Sequence, residues 1–313
     1  MDERTPKIVV TPPAFCKSQL LKTELVGHFP NAVFNEKDRY LSGPELIDFL
    51  ADADAALIGR DSITAELIHS LPKLRMLAKY GVGLDNLDQE ALDRAGIELR
   101  VTLGTNRRSV AELALGFMIG LCHNMASGSE ELKRGVWRRE GGQELTGKSI
   151  GIIGCGQVGQ ELVRLLQPFQ CRIQVRDIAD RSRFCREFGV VETGFDEIIE
   201  EADILSLHVP LTEDTENLID KSVLAKMKPS AFLVNTSRGR VVHQDDLHQA
   251  LLSEQIGGAG LDVFWEEPPT ESEFLQLPNL MVTPHIGGNT REAVLAMGRA
   301  AIQNLTDYFS HSK

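Results

Sequence analysis

Residues 148–166, KSIGIIGCGQVGQELVRLL, join an apolar run to a helical pattern through a glycine-rich turn. The run KSIGIIG has the length and composition of a buried strand, and QVGQELVRLL places its apolar residues at helical spacing. Between the two, Gly154, Gly156 and Gly159 form the pattern G-x-G-x-x-G. A strand that turns directly into a helix in this way predicts a parallel sheet with helices on its faces.

The glycine pattern alone is a weak indicator, because a chain with 27 glycines produces such matches by chance. Its surroundings strengthen it, since Asp177 follows 18 residues after Gly159, at the end of the next apolar run. In a dinucleotide site Gly154 permits the tight turn, Gly156 lets the backbone approach a pyrophosphate, and Gly159 lets helix and strand pack closely. The helix N-terminus attracts the anion, and Asp177 can accept hydrogen bonds from ribose hydroxyls.

The carboxylate of Asp177 favours NAD over NADP, because it would repel a 2′-phosphate. Arg176, Arg181 and Arg183 lie nearby and qualify this preference, since an arginine in this region can accommodate a phosphate. The alternative is that these arginines form a solvated charged face. We interpret Cys155 as a small residue that fills space in the turn, not as a reactive thiol.

Strand and helix patterns alternate along the whole chain. After a predicted long helix, the runs CRIQVRD, ADILSLHVP, AFLVNTSR, IGGAGLDVF and NLMVTPH continue the alternation that KSIGIIG begins. In the first third, the helical patterns GPELIDFLADA and NLDQEALDRAG separate apolar runs, and Gly96 lies where a helix C-cap is expected. The predicted strands of this part are KIVVT (7–11), AALIG (55–59), LRMLA (74–78) and IELRV (97–101).

The predicted fold is α/β, with two doubly wound parallel-sheet domains and a cleft between them. We expect a flavodoxin-like substrate domain made of residues 1–104 and 285–313, and a Rossmann NAD domain at 105–284. Ser109 and Glu112 form a capping-box pattern for a helix that continues to about Met125. Asn289 and Glu292 suggest a similar cap for the final helix.

Composition excludes several classes of function. The 313 residues correspond to about two domains, and 42% hydrophobic with 25% charged residues is ordinary for a globular protein. A net charge of −12 argues against a nucleic-acid partner or an anionic membrane surface, both of which need concentrated Lys and Arg. The longest apolar segment, Leu113 to Cys122, is about half the ~20 residues that span a bilayer.

The five cysteines contain no C-x-x-C pair, so we expect neither a metal site nor a disulfide framework. Reduced thiols of this kind are typical of cytoplasmic proteins. The acidic N-terminal segment MDERTPK lacks the apolar core of a secretory signal. A cytoplasmic location is therefore predicted.

Three side chains that suit hydride transfer follow predicted strands. Arg238 follows FLVNTS, Glu267 lies in DVFWEEPP (262–269), and His285 follows MVTP. Singly, each could be an ordinary surface or loop residue, but ligands of an open parallel sheet bind beyond the carboxyl ends of its strands. His285 is the acid–base candidate because imidazole titrates nearest neutrality. A carboxylate beside it would orient the ring, and Arg238 offers a two-pronged donor for a planar carboxylate.

The two glutamates of DVFWEEPP are predicted to differ in role. A residue before proline is biased toward extended backbone, and adjacent side chains of an extended chain point to opposite faces. Glu267, directly before Pro268, is therefore the candidate that supports His285, whereas Glu266 is expected to face solvent.

The motifs GIIGCGQVG, LHVPLT, VNTSRG, GAGLDVFWEEP and VTPHIGG together resemble the D-isomer-specific 2-hydroxyacid dehydrogenase family. KYGVGLDNLD and NRRSVAEL are similar to the substrate domain of that family, specifically of its D-3-phosphoglycerate dehydrogenase branch. The resemblance covers roughly residues 7–308. It implies an NAD-dependent oxidoreductase that transfers a hydride between nicotinamide and C2 of a D-2-hydroxy acid or 2-oxo acid.

The resemblance also implies roles for individual residues. Arg238 would bind and polarise the 2-oxo acid, and His285, supported by Glu267, would exchange the proton. The residues implied to contact NAD are Gly154, Gly156, Gln157, Val158, Gly159, Asp177, His208, Val209, Pro210, Thr215, Thr236, Ser237, Arg238, Asp262, His285, Ile286, Gly287 and Gly288.

Substrate contacts are implied at Arg60, Lys79, Val82, Gly83 and Asn106, together with Arg238 and His285. The glycine-rich turn at 81–83 would hold a carboxylate on backbone N–H groups. The loop GRDSITAELI departs from the branch, because Asp61 replaces a serine and an acid beside a phosphate pocket is unfavourable. Arg107 and Arg108 either compensate or are surface charges. The substrate therefore stays open. It is either the pair phosphoglycerate and phosphohydroxypyruvate, or glyoxylate, hydroxypyruvate or a specialised 2-oxo acid.

The sequence ends at Lys313, soon after the predicted final helix, so the resemblance is to a short form without a regulatory domain. The segment from Ser109 to Trp137 resembles the dimerisation region of the family, and a homodimer is expected. A hypothesis of a different class is an NAD-sensing binding protein similar to the transcriptional co-repressors of the family. Peptide-binding grooves and disordered tails would distinguish such a protein, and this sequence has almost no tail.

Overall fold

The computed structural model describes residues 5–270 and 272–311. The chain divides into two compact units. One unit takes in the chain up to Asn106 and again from Gly288, and the other runs from Arg107 to Gly287. These divisions lie a few residues from the predicted domain boundaries.

The first unit contains a five-stranded, all-parallel sheet with the order β2-β1-β3-β4-β5. Its strands are β1 (Ile8–Val10), β2 (Val33–Phe34), β3 (Ala55–Ile58), β4 (Met76–Lys79) and β5 (Glu98–Arg100). Its helices before the second unit are α1 (Pro13–Lys17), α2 (Gln19–His28), α3 (Gly43–Leu50), α4 (Ala65–His69) and α5 (Gln89–Ala95).

The second unit contains a seven-stranded, all-parallel sheet with the order β12-β11-β10-β9-β6-β7-β8. Its strands are β6 (Ser149–Ile153), β7 (Arg172–Arg176), β8 (Val191–Glu192), β9 (Ile204–Leu207), β10 (Phe232–Asn235), β11 (Gly258–Leu261) and β12 (Leu280–Val282). Its helices are α6 (Arg107–Cys122), α7 (Met125–Lys133), α8 (Gln157–Leu166), α9 (Ser182–Phe188), α10 (Phe195–Glu201), α11 (Lys221–Leu224), α12 (Gln244–Leu252) and α13 (Ser272–Leu275).

The last helix, α14 (Arg291–His311), returns to the first unit and packs against β4 and α2. It buries Ala293, Met297, Ala301 and Leu305, which follow one another at four-residue intervals. This spacing places them on one helical face, so α14 covers one side of the first sheet.

Both faces of each sheet are apolar, which is why its strands read as continuous apolar runs. In the second sheet, Ile150 and Ile152 of β6 face a core shared with α6 and α8. Leu205 and Leu207 of the adjacent β9 face the opposite core, which α10 and α12 cover. The predicted α/β class, with two doubly wound parallel sheets, is confirmed.

The start of α6 differs from the sequence prediction. The helix begins at Arg107, so Ser109 lies within its first turn and is not the N-cap. The Ser109 hydroxyl instead donates a hydrogen bond to the Gly287 carbonyl oxygen. The predicted Ser109–Glu112 capping box is therefore wrong, because a tertiary acceptor takes the hydroxyl.

The end of α6 and the start of α14 also differ from prediction. α6 ends at Cys122, not Met125, and Asn124 adopts a left-handed conformation before α7 begins. At α14 the Thr290 hydroxyl accepts from the Ala293 amide, so Thr290 caps the helix where Asn289 was expected. Gly96 is confirmed as the C-cap of α5, at φ +68°.

The short edge strands β2 and β8 were not predicted, because two residues carry no periodic pattern. In the described part of the chain, no single helix is long and apolar enough to cross a membrane. The bent pair formed by α6 and α7 passes that test by length and composition only, and most of the apolar side chains of α6 are buried inside the second unit.

Candidate active site

The loops that follow the parallel strands of the second unit emerge at one edge of its sheet. They carry the predicted catalytic residues and almost all of the predicted cofactor residues. The site can be built from the glycine-rich turn after β6, the acid after β7, and the loops after β9, β10, β11 and β12.

Gly154 and Gly159 in the turn after β6 are required by close backbone contacts. Gly154 has φ +94°, and a Cβ on it would lie 2.6 Å from the His208 carbonyl oxygen. A Cβ on Gly159 would lie 2.2 Å from the Gly154 oxygen. A Cβ on Gly156, which immediately precedes α8, would meet nothing within 4 Å. The turn thus leaves open space over the N-terminus of α8, where an anionic phosphate would fit.

Asp177 lies directly after β7 and faces this turn. Its Oδ2 accepts a hydrogen bond from the Cys155 amide at 2.7 Å, and its Oδ1 accepts from the Ala179 amide at 2.8 Å. Arg181 Nε lies 3.2 Å from Asp177 Oδ2. Cys155 is fully buried, and burial raises the pKa of its thiol to about 12. The thiol therefore stays protonated, in line with its interpretation as a residue that fills space.

His285 and Glu267 form a hydrogen-bonded pair. His285 Nδ1 lies 2.7 Å from Glu267 Oε2 and 2.9 Å from Oε1. A carboxylate can only accept, so Nδ1 carries the proton in this pair, and Nε2 is the ring nitrogen that can exchange a proton with a substrate. His285 itself has φ +52°, and the Glu267–Pro268 peptide is cis. Glu266 is exposed, as predicted.

Asp262 holds the loop on which His285 lies. It is 1% exposed, and its carboxylate accepts from the Ile286 and Gly287 amides, both at 2.8 Å. The Thr283 hydroxyl donates to the same carboxylate at 2.6 Å. The predicted nicotinamide contact at Asp262 thus has both of its oxygens engaged by the loop at 283–287.

Arg238 lies in the loop after β10. Its Nη1 donates to the Ser237 carbonyl oxygen at 2.7 Å, and its own carbonyl accepts from the Asn235 side-chain amide at 2.8 Å. A Cβ on Gly239 would lie 2.0 Å from the Phe264 carbonyl carbon, so this loop packs directly against the segment that holds Glu267. The backbone thereby brings Arg238 to the same edge as the His285–Glu267 pair.

Two further polar groups at this edge bear on the cofactor. The Thr236 hydroxyl is buried and has no hydrogen-bond partner among the described residues. His208 has Nε2 2.9 Å from the Ser206 hydroxyl, and burial lowers the pKa of its imidazole to about 4. An unpaired buried hydroxyl, a neutral imidazole and the open glycine turn fit an uncharged nicotinamide amide and a pyrophosphate. In the loop after His208, the Thr215 hydroxyl donates to the Pro210 oxygen at 2.6 Å.

Apart from Arg238 and His285, the predicted substrate residues lie in the first unit. Gly81, with φ +102°, opens the turn that contains Val82 and Gly83, both of which are half-buried. The Asn106 side-chain oxygen is buried without a partner in the described chain. Gly288 packs against Asn106, since a Cβ on Gly288 would lie 3.0 Å from Asn106 Nδ2.

Lys79 does not present a free ammonium group to solvent. It is 4% exposed, and its Nζ donates to the Gly59 carbonyl oxygen and, at 2.8 Å, to Asn86 Oδ1. The Asn86 side-chain amide also donates to the backbone carbonyl oxygens of Gly59 and Asp61. Asn86 was not singled out from the sequence, although it stands in the quoted stretch KYGVGLDNLD and its polar side chain there was a usable signal.

Asp61 is almost fully buried, at 1% exposed. Its Oδ2 accepts from Thr11 Oγ1 at 2.5 Å and from the Gly59 amide at 2.9 Å, whereas Oδ1 has no partner in the described chain. Burial raises the pKa of this carboxyl above its usual range. The adjacent Arg60 is exposed, and its guanidinium lies 5.2 Å from the centre of the Tyr40 ring.

The described residues contain no group of three His, Cys, Asp or Glu side chains placed to hold a metal ion. A dinucleotide fold that carries a cation and a paired imidazole at its sheet edge is typical of hydride-transfer enzymes. The structure thus defines the class as nicotinamide-dependent oxidoreductases.

Comparison with known proteins identifies the particular family. Residues 115–287 match the sequence model of the D-isomer specific 2-hydroxyacid dehydrogenase NAD-binding domain. The chain is 35% identical over 272 residues to hydroxypyruvate reductase of Thermotoga maritima. The aligned region covers 85% of this chain and 88% of that protein. The chain therefore belongs to the D-isomer-specific 2-hydroxyacid dehydrogenase family. It is an NAD-dependent oxidoreductase that acts between 2-hydroxy and 2-oxo acids.

Several relatives carry the name phosphoglycerate dehydrogenase. The chain is 35% identical over 261 residues to D-3-phosphoglycerate dehydrogenase of Mycobacterium leprae. The aligned region covers 82% of this chain but only 49% of that protein. NAD-bound 3-phosphoglycerate dehydrogenase of Entamoeba histolytica has a similar structure, with a TM-score of 0.83 at 27% identity. That match covers 99% of this chain and 97% of the other.

Proposed function

We propose that this enzyme reduces a small unphosphorylated 2-oxo acid with NADH and oxidises the matching D-2-hydroxy acid. Hydroxypyruvate and glyoxylate are the leading candidates. The observation that carries the choice of an unphosphorylated acid is the buried carboxyl of Asp61 beside Arg60. Similarity to hydroxypyruvate reductase of Thermotoga maritima over most of both chains supports it.

The His285–Glu267 pair supplies the proton in this proposal. NADH held at the glycine-rich turn would supply a hydride to C2 of the 2-oxo acid. His285 Nε2 donates a proton to the C2 oxygen in reduction and accepts it in oxidation, while Glu267 holds Nδ1–H and stabilises the imidazolium. The 2.7 Å contact between Nδ1 and Oε2 supports this division of roles.

Arg238 is proposed to bind the substrate carboxylate and polarise the C2 carbonyl. Its guanidinium is planar and permanently charged, so it fits a planar carboxylate and stabilises negative charge that develops on oxygen. Within the first unit, the backbone N–H groups of Val82 and Gly83 and the side chain of Asn106 are proposed to contribute to substrate binding.

The NAD contacts are proposed along the carboxyl edge of the second sheet. The pyrophosphate would lie at the glycine-rich turn, over Gly156 and the amides of Gln157 and Val158. Asp177 would accept from the ribose hydroxyls. The nicotinamide side would be formed by 236–238, Asp262 and 285–288, with 208–210 and Thr215 along the cofactor. The unpaired Thr236 hydroxyl supports a polar group at this place.

Asp61 argues against a phosphate on the substrate. Burial already raises the pKa of its carboxyl, and a phosphate dianion beside it would raise that pKa further. Each such shift costs binding energy, about 1.4 kcal/mol for one pKa unit. The buried Lys79 ammonium offsets part of this effect, since its charge lowers the pKa of the same carboxyl.

A second candidate is the oxidation of D-3-phosphoglycerate. The exposed guanidinium of Arg60 favours it, together with the similarity to the Mycobacterium leprae dehydrogenase. Arg107 and Arg108 were the other cations considered from the sequence. Arg108 pairs with Glu112 and Glu161, and Arg107 lies 3.9 Å from Glu161. These contacts support the view that both are surface charges.

Cellular location and assembly are proposed on separate grounds. All five cysteines are free thiols, which favours a reducing, cytoplasmic compartment. A homodimer is proposed because Met125, Leu132, Val136 and Trp137 leave large apolar side chains exposed on and after α7. A groove of about 450 Å³ in the same unit, lined in part by Leu121, Leu252, Leu277 and Met281, could receive such side chains from a second copy.

The substrate proposal is tested with a panel of 2-oxo acids. NADH oxidation is followed with hydroxypyruvate, glyoxylate, pyruvate and phosphohydroxypyruvate, and kcat/KM is compared. The proposal expects at least about tenfold preference for an unphosphorylated acid over phosphohydroxypyruvate. A preference for the phosphorylated acid would instead support the second candidate. Binding of NADH without turnover on any acid would favour the sensing hypothesis.

A further inference from the structure

Trp265 lies in the same loop as Glu267, and its side chain packs against the buried core of the second unit. The residue is half-buried, and its indole ring lies nearly perpendicular to the buried Phe274 ring, with 6.0 Å between the ring centroids. Its Nε1 donates a hydrogen bond of 2.6 Å to the Val242 carbonyl oxygen. An indole has one donor and no acceptor, so this single bond fixes the direction in which the ring points.

The acceptor of this hydrogen bond, Val242, is itself firmly held. Its side chain is fully buried, and its amide donates to the Gly239 carbonyl oxygen at 3.1 Å. It also pairs with Ile219 in an isolated parallel bridge. A single turn of 3-10 helix separates Val242 from Arg238. The indole bond therefore joins the loop that carries Glu267 to the segment that follows Arg238.

The carboxylate of Glu267 is held by the same stretch of backbone. Its Oε1 accepts a hydrogen bond from the Phe264 amide, and its Oε2 lies 2.7 Å from His285 Nδ1. At 3.3 Å the bond from Phe264 is already long, so a small shift of the backbone would break it. Phe264 directly precedes Trp265, and a movement of the indole away from Val242 would move this amide as well.

We infer that Trp265 is a positioning residue for the acid–base pair, because its hydrogen bond to Val242 sets where the Glu267 carboxylate lies against the His285 ring. A displacement of about 1 Å in such a supporting element can cost about 100-fold in rate. Trp265 acts only through Glu267 and contacts neither substrate nor cofactor. The inference rests on the proposed role of Glu267 as the partner of His285.

The test is a double-mutant cycle between Trp265→Phe and Glu267→Ala. Phenylalanine keeps an aromatic ring beside Phe274 and removes the indole N–H. At pH 7, kcat and KM are measured with the 2-oxo acid that is turned over fastest, and the Kd of NADH is measured by nicotinamide fluorescence. We expect Trp265→Phe to lower kcat about fivefold and to leave the Kd of NADH within about twofold. In the Glu267→Ala background the same change should lower kcat by less than about twofold, because the carboxylate through which it acts is gone.

Phe274→Leu is the matched control, because it loosens the packing of the indole and keeps its N–H. Its kcat should stay within about twofold of the wild type. An equal fall in Phe274→Leu and Trp265→Phe would overturn the inference, since packing would then explain both. If thermal unfolding shows that Trp265→Phe is not folded, Trp265→Met replaces it, because methionine fills irregular apolar gaps and also lacks the donor.

The cycle also separates this inference from the proposed function. Equal effects of Trp265→Phe with and without the Glu267 side chain would overturn the inference alone, because independent sites give additive effects. If Glu267→Ala by itself leaves kcat unchanged, the proposed role of Glu267 fails and the inference fails with it. The choice of acid follows turnover, so an incorrect substrate proposal leaves the result unaffected.

Discussion

At the residue scale, Glu266 and Glu267 show how one sequence position decides a role. Both precede proline-rich sequence, yet only Glu267 contacts the His285 ring, at 2.7 Å. Glu266 is exposed. A carboxylate that holds Nδ1–H fixes both the tautomer and the orientation of the imidazole.

Glu267→Gln is expected to lower kcat by about 10- to 100-fold, a loss typical of a positioned acid–base partner. The amide no longer stabilises the imidazolium that forms during proton exchange. Steady-state kinetics of both variants at pH 7 measure the effect. Glu266→Gln is the control, and an equal effect of the two changes would contradict the assignment.

His208 supports a prediction about stability and pH. Burial lowers its pKa to about 4, whereas an unfolded histidine titrates near 6.5. Below pH 6.5 the unfolded chain therefore binds a proton that the folded chain does not, and the free energy of unfolding falls as the pH falls. This contribution reaches roughly 3 kcal/mol at pH 4.

His208→Asn removes that titration and keeps a polar partner for Ser206. The variant should lose less stability than the wild type between pH 7 and pH 4.5 in urea unfolding experiments. At pH 7.5, where His208 is neutral in both states, the pH-dependent part of the difference disappears. Parallel stability curves over the whole range would show that burial does not lower the pKa of His208 in the folded protein.

At the scale of elements, glycines set how closely α6 packs onto the second sheet. A Cβ on Gly260 of β11 would lie 2.8 Å from Phe117 Cγ, and Phe117 is fully buried. Gly120 of the same helix faces Met281, where a Cβ would lie 2.8 Å from the sulfur. Gly116, also in α6, is different, because a Cβ there would meet nothing within 4 Å.

Gly260→Ala is expected to lower the free energy of unfolding by about 1–3 kcal/mol, because the ring of Phe117 cannot move without disturbing the core. Gly116→Ala, in the same pair of elements, should raise it by up to about 1 kcal/mol through helix propensity. Chemical denaturation of both variants measures the difference. Equal stability of Gly260→Ala and the wild type would mean that α6 can shift to accommodate a methyl group.

At the scale of the whole molecule, the proposed homodimer follows from what one chain leaves exposed. Trp137 is 75% exposed in the single chain. Tryptophan is enriched among the residues that contribute most to binding at protein interfaces, so a second copy is expected to cover it. Trp137→Asp should convert the dimer to a monomer at micromolar concentration, as measured by light scattering after gel filtration. Leu20→Asp, at an exposed leucine of the first unit, is the control and should remain dimeric. A monomeric wild type would contradict the proposal.

The sequence by itself determined the fold class, because continuous apolar runs alternating with helical patterns have few solutions other than parallel sheets. It also pointed to the glycine-rich turn, Asp177, Arg238, Glu267 and His285, since each stands at the end of a recognisable strand. Local spacing was sufficient for these residues, because parallel strands deliver their carboxyl ends to one edge.

Only the tertiary structure decided which groups meet. The Ser109 hydroxyl, predicted to cap α6, instead donates to the Gly287 carbonyl oxygen, 178 residues away. The tertiary structure also turned Lys79 inward to the Gly59 carbonyl, 20 residues away. Hydrogen bonds and ion pairs of this kind depend on distances between segments far apart in the chain, and periodicity along a sequence carries no information about those distances.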